Sequence, residues 1–227
     1  MPFRSDLRVP VLTVLTETDV GGGNGYFRAR VPDTNHLRVW EVAGSAHADN
    51  YLFGLGMRDS GSLSIEQLAS GFAPSTSAAG GTLKLPANPG LPHHYVMQAA
   101  FSQLERWLRT GNAPPQAPPL TMTSGERPTL ALDANGLVQG GVRTPWVDTP
   151  TIRMSGSGNS GGPVGFLAGV GQPFDAAALA RLYPGGRSEY LRRFQAALDS
   201  AISAGFILPA DRQEILGVAA ASWQGAS

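Results

Sequence analysis

Two short apolar runs, Val9 to Leu15 and Leu37 to Val42, constrain this chain more than any other feature. The first, Val-Pro-Val-Leu-Thr-Val-Leu, is rich in β-branched residues. It closes on Thr16-Glu17-Thr18-Asp19 and a glycine cluster, as expected of an interior strand in a parallel sheet. The second, Leu-Arg-Val-Trp-Glu-Val, reads as another strand. Ala43-Gly-Ser-Ala-His47-Ala-Asp49 follows it as a loop of small residues holding one histidine. Sites in open α/β sheets sit at the carboxyl ends of strands, so Asp19 and His47 are expected to face one pocket.

A length of 227 residues suits one large domain or one and a half, and 42% hydrophobic residues can build a substantial core. Seventeen basic and seventeen acidic side chains leave no electrostatic footprint for nucleic acid or an anionic membrane, so neither is an expected partner. Without cysteine there is no disulfide framework and no thiolate metal site, and the compartment stays open. The first residues lack the apolar run of a signal peptide, and no stretch approaches about 18 consecutive apolar residues. The chain is expected to be soluble, in the cytoplasm or exported through a signal on a longer product. Its 29 glycines and 18 prolines predict many ordered loops, where binding sites commonly lie.

Between the two strands, Gly21 to Asp33 is too glycine-rich for a regular helix and reads as a short crossover. Arg28 and Arg30 in it would either steer an acidic substrate or form a solvated face. Tyr51 to Pro92 reads as a long loop packed over the site, with a brief helix around Ile65 to Leu68. His93 and His94 then precede an amphipathic helix with Met97, Ala100, Phe101, Leu104, Trp107 and Leu108 on one face, ended by Gly111 and by Pro114-Pro115. Neighbouring histidines on a helix point about 100° apart, and no third ligand stands at metal spacing, so neither metal nor organic cofactor is expected.

Leu120 to Thr123 and Thr129 to Leu132 read as strands and Asp133 to Gly136 as a turn between short β segments, with a boundary near Pro114 separating residues 1–113 from 114–227. The second part ends in helices: one capped by Asp175, one carrying Tyr190, Leu191, Phe194, Leu198 and Ile202, and a last one opened by an Asp211/Glu214 capping box.

Thr16-Glu17-Thr18-Asp19 followed by Gly44-Ser45-Ala46-His47 resembles the acid and histidine segments of α/β-hydrolases. Trp40 to Asp49, Gly140-Gly-Val-Arg-Thr-Pro145, Leu182-Tyr-Pro184 and Ala204-Gly-Phe-Ile207 extend the resemblance, over nearly the whole chain, to a group of bacterial α/β-hydrolase-domain proteins. The fold it implies is α/β, the C-terminal part of an α/β-hydrolase-like sheet with a helical C-terminal extension. The activity it implies is that of an esterase-like serine hydrolase on a small-molecule ester. His47 would be the base and Asp19 the acid, with Glu17 the alternate acid and Asp49 orienting the histidine loop. In that family the serine precedes the acid, and here Ser5 is no substitute for a Gly-x-Ser-x-Gly turn. The nucleophile is therefore expected upstream. The 227 residues alone would be inactive, with an exposed sheet edge prone to self-association.

Two other readings stand beside this one. Gly158-Asn-Ser160-Gly-Gly-Pro163 copies the nucleophile segment of chymotrypsin-like proteases, but that fold needs two barrels and this chain is rich in helical pattern. It also lacks the strand and helix that flank a hydrolase elbow, which leaves Ser160 in a glycine-rich turn. The last reading is a non-catalytic binding or scaffold module of hydrolase fold, in which His47 and Asp19 serve the loop structure alone.

Overall fold

A computed structural model describes all residues except positions 1–3, 5, 23, 24, 79, 80, 226 and 227. Ser5 and the Gly23-Asn24 part of the glycine cluster therefore lie outside the described residues. Strand β1 (Val11–Thr16) runs into a short helix, α1 (Glu17–Gly21). A single 3-10 turn at Tyr26–Ala29 then leads to β2 (Leu37–Val42). The two strands are parallel, with Val11 opposite Leu37 and Thr16 opposite Val42, so their carboxyl ends lie side by side. On its other side β2 bridges in parallel to Val142: Ala43 N–H donates to Val142 O at 3.1 Å, and Val142 N–H to Glu41 O at 2.7 Å. Among the described residues β2 is thus flanked on both sides and β1 on one.

Arg30 is only partly exposed, because it is held from within the fold. Its guanidinium forks onto Glu41, Nε reaching Oε1 at 2.7 Å, and it also donates to Leu120 O at 2.7 Å. Glu41, inside β2, is buried and takes the Leu120 N–H as well, at 2.8 Å. A buried carboxylate needs a pairing of this kind, and arginine's planar fork supplies it.

The long stretch after the histidine loop carries more structure than expected: a π turn at Tyr51–Leu55, helix α2 (Ile65–Gly71), and a small hairpin of β3 (Ser77–Ala78) and β4 (Gly81–Thr82). Helix α3 (Leu91–Thr110) starts early enough to include His93 and His94 in its first turn. Its buried face is Tyr95, Val96, Ala99, Ala100 and Trp107, while Phe101 and Leu108 are 67% and 61% exposed. The expected apolar stripe is therefore rotated toward Tyr95 and Val96, and its Phe101–Leu108 edge faces out.

Residues 120–142 form a set of antiparallel bridges, Leu120 to Gly140, Met122 to Leu130 and Leu132 to Val138, around the Asp133 turn. Helix α4 (Pro145–Asp148) then leads to an antiparallel pair, β5 (Ile152–Ser155) and β6 (Val170–Pro173). Three helices close the chain: α5 (Ala176–Leu182), α6 (Gly186–Ser203) and α7 (Arg212–Ala221). Asp175 Oδ1 caps α5 by accepting the Ala178 N–H at 2.7 Å. No capping box forms at α7, because Glu214 turns inward and accepts the Tyr95 hydroxyl at 2.8 Å, tying α7 to α3. Asp211 is left half-buried, and burial pushes its carboxyl up to about 6. The main core joins Val20, Ala43 and Tyr95 to Trp146, Tyr190, Phe194 and Ile215, drawing on residues from both sides of Pro114.

Candidate functional site

Parallel pairing brings the ends of β1 and β2 together, and the first turn of α1 decides which acid meets the histidine. Thr16 and Asp19 stand in the spacing of a capping box: the Thr16 N–H and hydroxyl both donate to Asp19 Oδ2, at 3.0 and 2.7 Å. The other oxygen, Oδ1, lies 2.8 Å from Nδ1 of His47. A carboxylate there holds the ring proton on Nδ1 and leaves Nε2 as the free acceptor. The His47 side chain is 50% exposed, so Nε2 is within reach of a ligand, whereas the Asp19 side chain is 14% exposed. Burial raises the Asp19 carboxyl, but the Thr16 hydroxyl and amide together with His47 outweigh it, and the group sits below its ordinary range.

Glu17 occupies a different place. Two helix positions turn a side chain by about 200°, so Glu17 points inward where Asp19 points outward. It is buried and receives the Gly44 N–H on Oε1 at 2.6 Å and the Gly156 N–H on Oε2 at 2.9 Å. Burial dominates over these donors and pushes the carboxyl up to about 7. Thr18, between the two acids, donates its hydroxyl to Gly156 O and accepts the His47 N–H at 3.1 Å. The end of β1 thereby clamps both the histidine loop and the β5 loop. Both glycines are required for this. Gly44 has φ of +72°, and a Cβ on Gly156 would come within 2.5 Å of Thr18 N and 2.7 Å of Ser45 O.

The histidine loop is fixed at its far end by Asp49, which is buried and accepts from Leu52 N–H at 2.9 Å and from His93 Nδ1 at 3.0 Å. His94 packs against Tyr51, ring centroids 4.0 Å apart, and accepts from Gln98 Nε2 at 2.9 Å. Burial lowers its imidazole to about 4, so it is neutral. Among the described residues no group of three or more His, Cys, Asp or Glu is placed to hold a metal ion, and no helix is long and apolar enough to cross a membrane. Ser160 is exposed; its carbonyl takes the Lys84 N–H at 2.8 Å and its own N–H goes to Asn159 Oδ1 at 2.8 Å. Among the described residues no hydrogen bond joins it to His47.

The family model described as alpha/beta hydrolase domain matches residues 1–217. The chain belongs to that family. No curated protein and no solved structure matches it. In this hydrolase domain Asp19 and His47 are brought together, while Glu17, Asp49 and Ser160 hold backbone or a second histidine. The inward anchor at Glu17 and its backbone donor at Gly156 went unread in the sequence. The Thr16-x-x-Asp19 spacing was the signal that a helix, with opposed faces, begins there.

Proposed function

We propose that this hydrolase domain supplies the base and the acid of a Ser-His-acid site acting on small carboxylic esters. One observation carries the reading: Asp19 Oδ1 lies 2.8 Å from His47 Nδ1 at the ends of adjacent parallel strands, with the ring half exposed. Nε2 of His47 takes the proton from a serine hydroxyl as its oxygen attacks the ester carbonyl, and Asp19 stabilises the imidazolium that forms. The imidazolium then gives this proton to the departing alkoxide, which leaves as the alcohol. Water, deprotonated by the same nitrogen, then attacks the acyl-enzyme, and the imidazolium returns its proton to the departing serine oxygen as the acid is released. Chain order in the fold places that serine ahead of Asp19. In this reading residues 1–113 carry the acid, the histidine and the packing helix, and residues 114–227 cover them.

Hydrolysis of short-chain aryl esters tests the proposal. The 227 residues alone are expected to show no turnover above that of free imidazole, and a longer chain bearing an upstream Gly-x-Ser-x-Gly turn is expected to show it. In that longer chain His47→Ala should lower kcat by several orders of magnitude and Ser160→Ala should leave it nearly unchanged. Loss of activity in Ser160→Ala would assign the nucleophile to Ser160. A longer chain that stays inactive would favour the non-catalytic module.

A further inference from the structure

Between α2, the start of α3, the β5–β6 pair and the end of α7 lies a cavity of about 320 Å³ that Asp19, Glu17 and His47 do not line. Its walls are Phe72, Leu91, Trp146, Ile152, Met154 and Tyr190. Apart from Ile152, which is half-buried, each of these is 6% exposed or less. The one phenol among them is that of Tyr190, and half-buried Thr151 adds a hydroxyl to a wall that is otherwise mainly apolar. Polar groups come from the solvent-facing ends of α2 and α7: Glu66, Ser70 and Gln224 are exposed, and Ser222 is half-buried. Among the described residues no Lys, Arg or His lines the space.

Size and lining together narrow the occupant. A cavity of about 150 Å³ walled by aliphatic and aromatic side chains takes a single benzene ring, and sites for small molecules begin near 300 Å³. A space of about 320 Å³ therefore suits two fused rings. The indole of Trp146 and the phenol of Tyr190 are each stacked on one side already, on Tyr95 and Trp223, and the parts that line the cavity favour edge contact with another ring. At the mouth the single charge is the Glu66 carboxylate, oriented by the Ser64 hydroxyl at 2.8 Å. It attracts a cation and repels an anion, with no basic residue in the lining to compensate.

We propose that this cavity is a binding site, separate from the Asp19–His47 pair, for a small two-ring aromatic molecule that is neutral or carries one amine at the Glu66 mouth. Occupancy is independent of hydrolysis at His47.

Isothermal titration calorimetry on the full 227-residue chain tests this with three probes: 2-naphthalenemethanol, 2-naphthylmethylamine and 2-naphthoate. The alcohol and the amine should bind saturably with one site per chain, and the carboxylate at least about tenfold more weakly. Ala69→Phe, which projects a ring into the cavity from α2, should weaken both ligands by about tenfold or more. Glu66→Gln changes an exposed side chain, so the fold is retained. It should bring the amine to the level of the alcohol and leave the alcohol unchanged. Absence of saturable binding by both alcohol and amine at millimolar concentration overturns the proposal. So does equal binding of the carboxylate, or unchanged affinity in a folded Ala69→Phe variant. Should Ala69→Phe fail to fold, Glu66→Gln decides: an amine affinity that does not move overturns the site.

Discussion

Glu17 and Asp19 stand two residues apart on one short helix and present their carboxylates to opposite sides, Asp19 to the His47 ring and Glu17 to the backbone of Gly44 and Gly156. One acid is therefore placed to work on a side chain that solvent can reach, and the other on the framework beneath it. Substitutions at the two positions should have different signatures.

At Asp19 the expected signature is in the histidine. Nitrogen-detected NMR of the 227-residue chain at pH 8 should show His47 as the Nδ1–H tautomer, with its ring proton held in the bond to Asp19. Asp19→Ala should shift the population toward the Nε2–H form. In an active longer chain Asp19→Asn should lower kcat by about 10³- to 10⁴-fold with little change in KM, because the base loses its orientation and the imidazolium its counter-charge. An unchanged tautomer in Asp19→Ala would show that the loop, and not the carboxylate, sets the ring.

At Glu17 the signature is in stability against pH. The unfolded carboxyl titrates near 4.3, whereas burial raises the folded one to about 7. Below the lower value both states hold the proton and Glu17 costs nothing. Between the two the unfolded chain releases it and the folded chain keeps it, so stability falls as pH rises, and the loss is complete above about 7. The difference in unfolding free energy between the native protein and Glu17→Gln should therefore move toward the glutamine variant by on the order of 3 kcal/mol between pH 4.5 and 8. The two curves come from urea denaturation, and parallel curves would refute the assignment.

The Arg30–Glu41 pair is a test of buried charge. Arg30→Met leaves Glu41 inside the protein with only the Leu120 N–H, at 2.8 Å, and should cost about 3 kcal/mol by chemical denaturation. Arg30→Lys should recover part of this, since an ammonium cannot fork onto both oxygens and reach Leu120 O as well. A cost below about 1 kcal/mol for Arg30→Met would place the pair in the class of weak surface bridges.

The side of β1 that has no strand neighbour among the described residues and the exposed Phe101–Leu108 edge of α3 lead us to expect self-association of the 227-residue chain. Sedimentation velocity should show mass rising with concentration, and Phe101→Glu should reduce it. A monomer at every concentration would contradict this.

Local pattern made much of the fold legible. The run Leu37 to Val42 is β2 to the residue, and the Asp133 turn and the Asp175 cap lie where turn and cap chemistry put them. Their places after two apolar strand runs also pointed to Asp19 and His47, whose proximity follows from parallel pairing once two adjacent strands are granted. What could not be read locally depends on distant partners. Arg30 was ambiguous because Glu41 and Leu120 reach it only in the folded chain. Glu214 left its helix cap because the Tyr95 hydroxyl, 119 residues earlier, stood within reach. On α3 the expected stripe holds at Ala100 and Trp107, but the helix begins at Leu91 and its buried face also takes in Tyr95, Val96 and Ala99, which leaves Phe101 and Leu108 outside.

The unequal flanking of the two strands bears on how the Asp19–His47 pair comes apart. His47 follows the strand held on both sides, and its loop is pinned again two residues on through Asp49. Asp19 follows the strand held on one side among the described residues. Fraying begins where fewest ladder bonds must break, but Glu17 and Thr18 tie the end of β1 to the Gly44 and His47 amides, so a breathing motion that carries Asp19 away must also release the histidine loop. Acid and base are therefore expected to lose their places together.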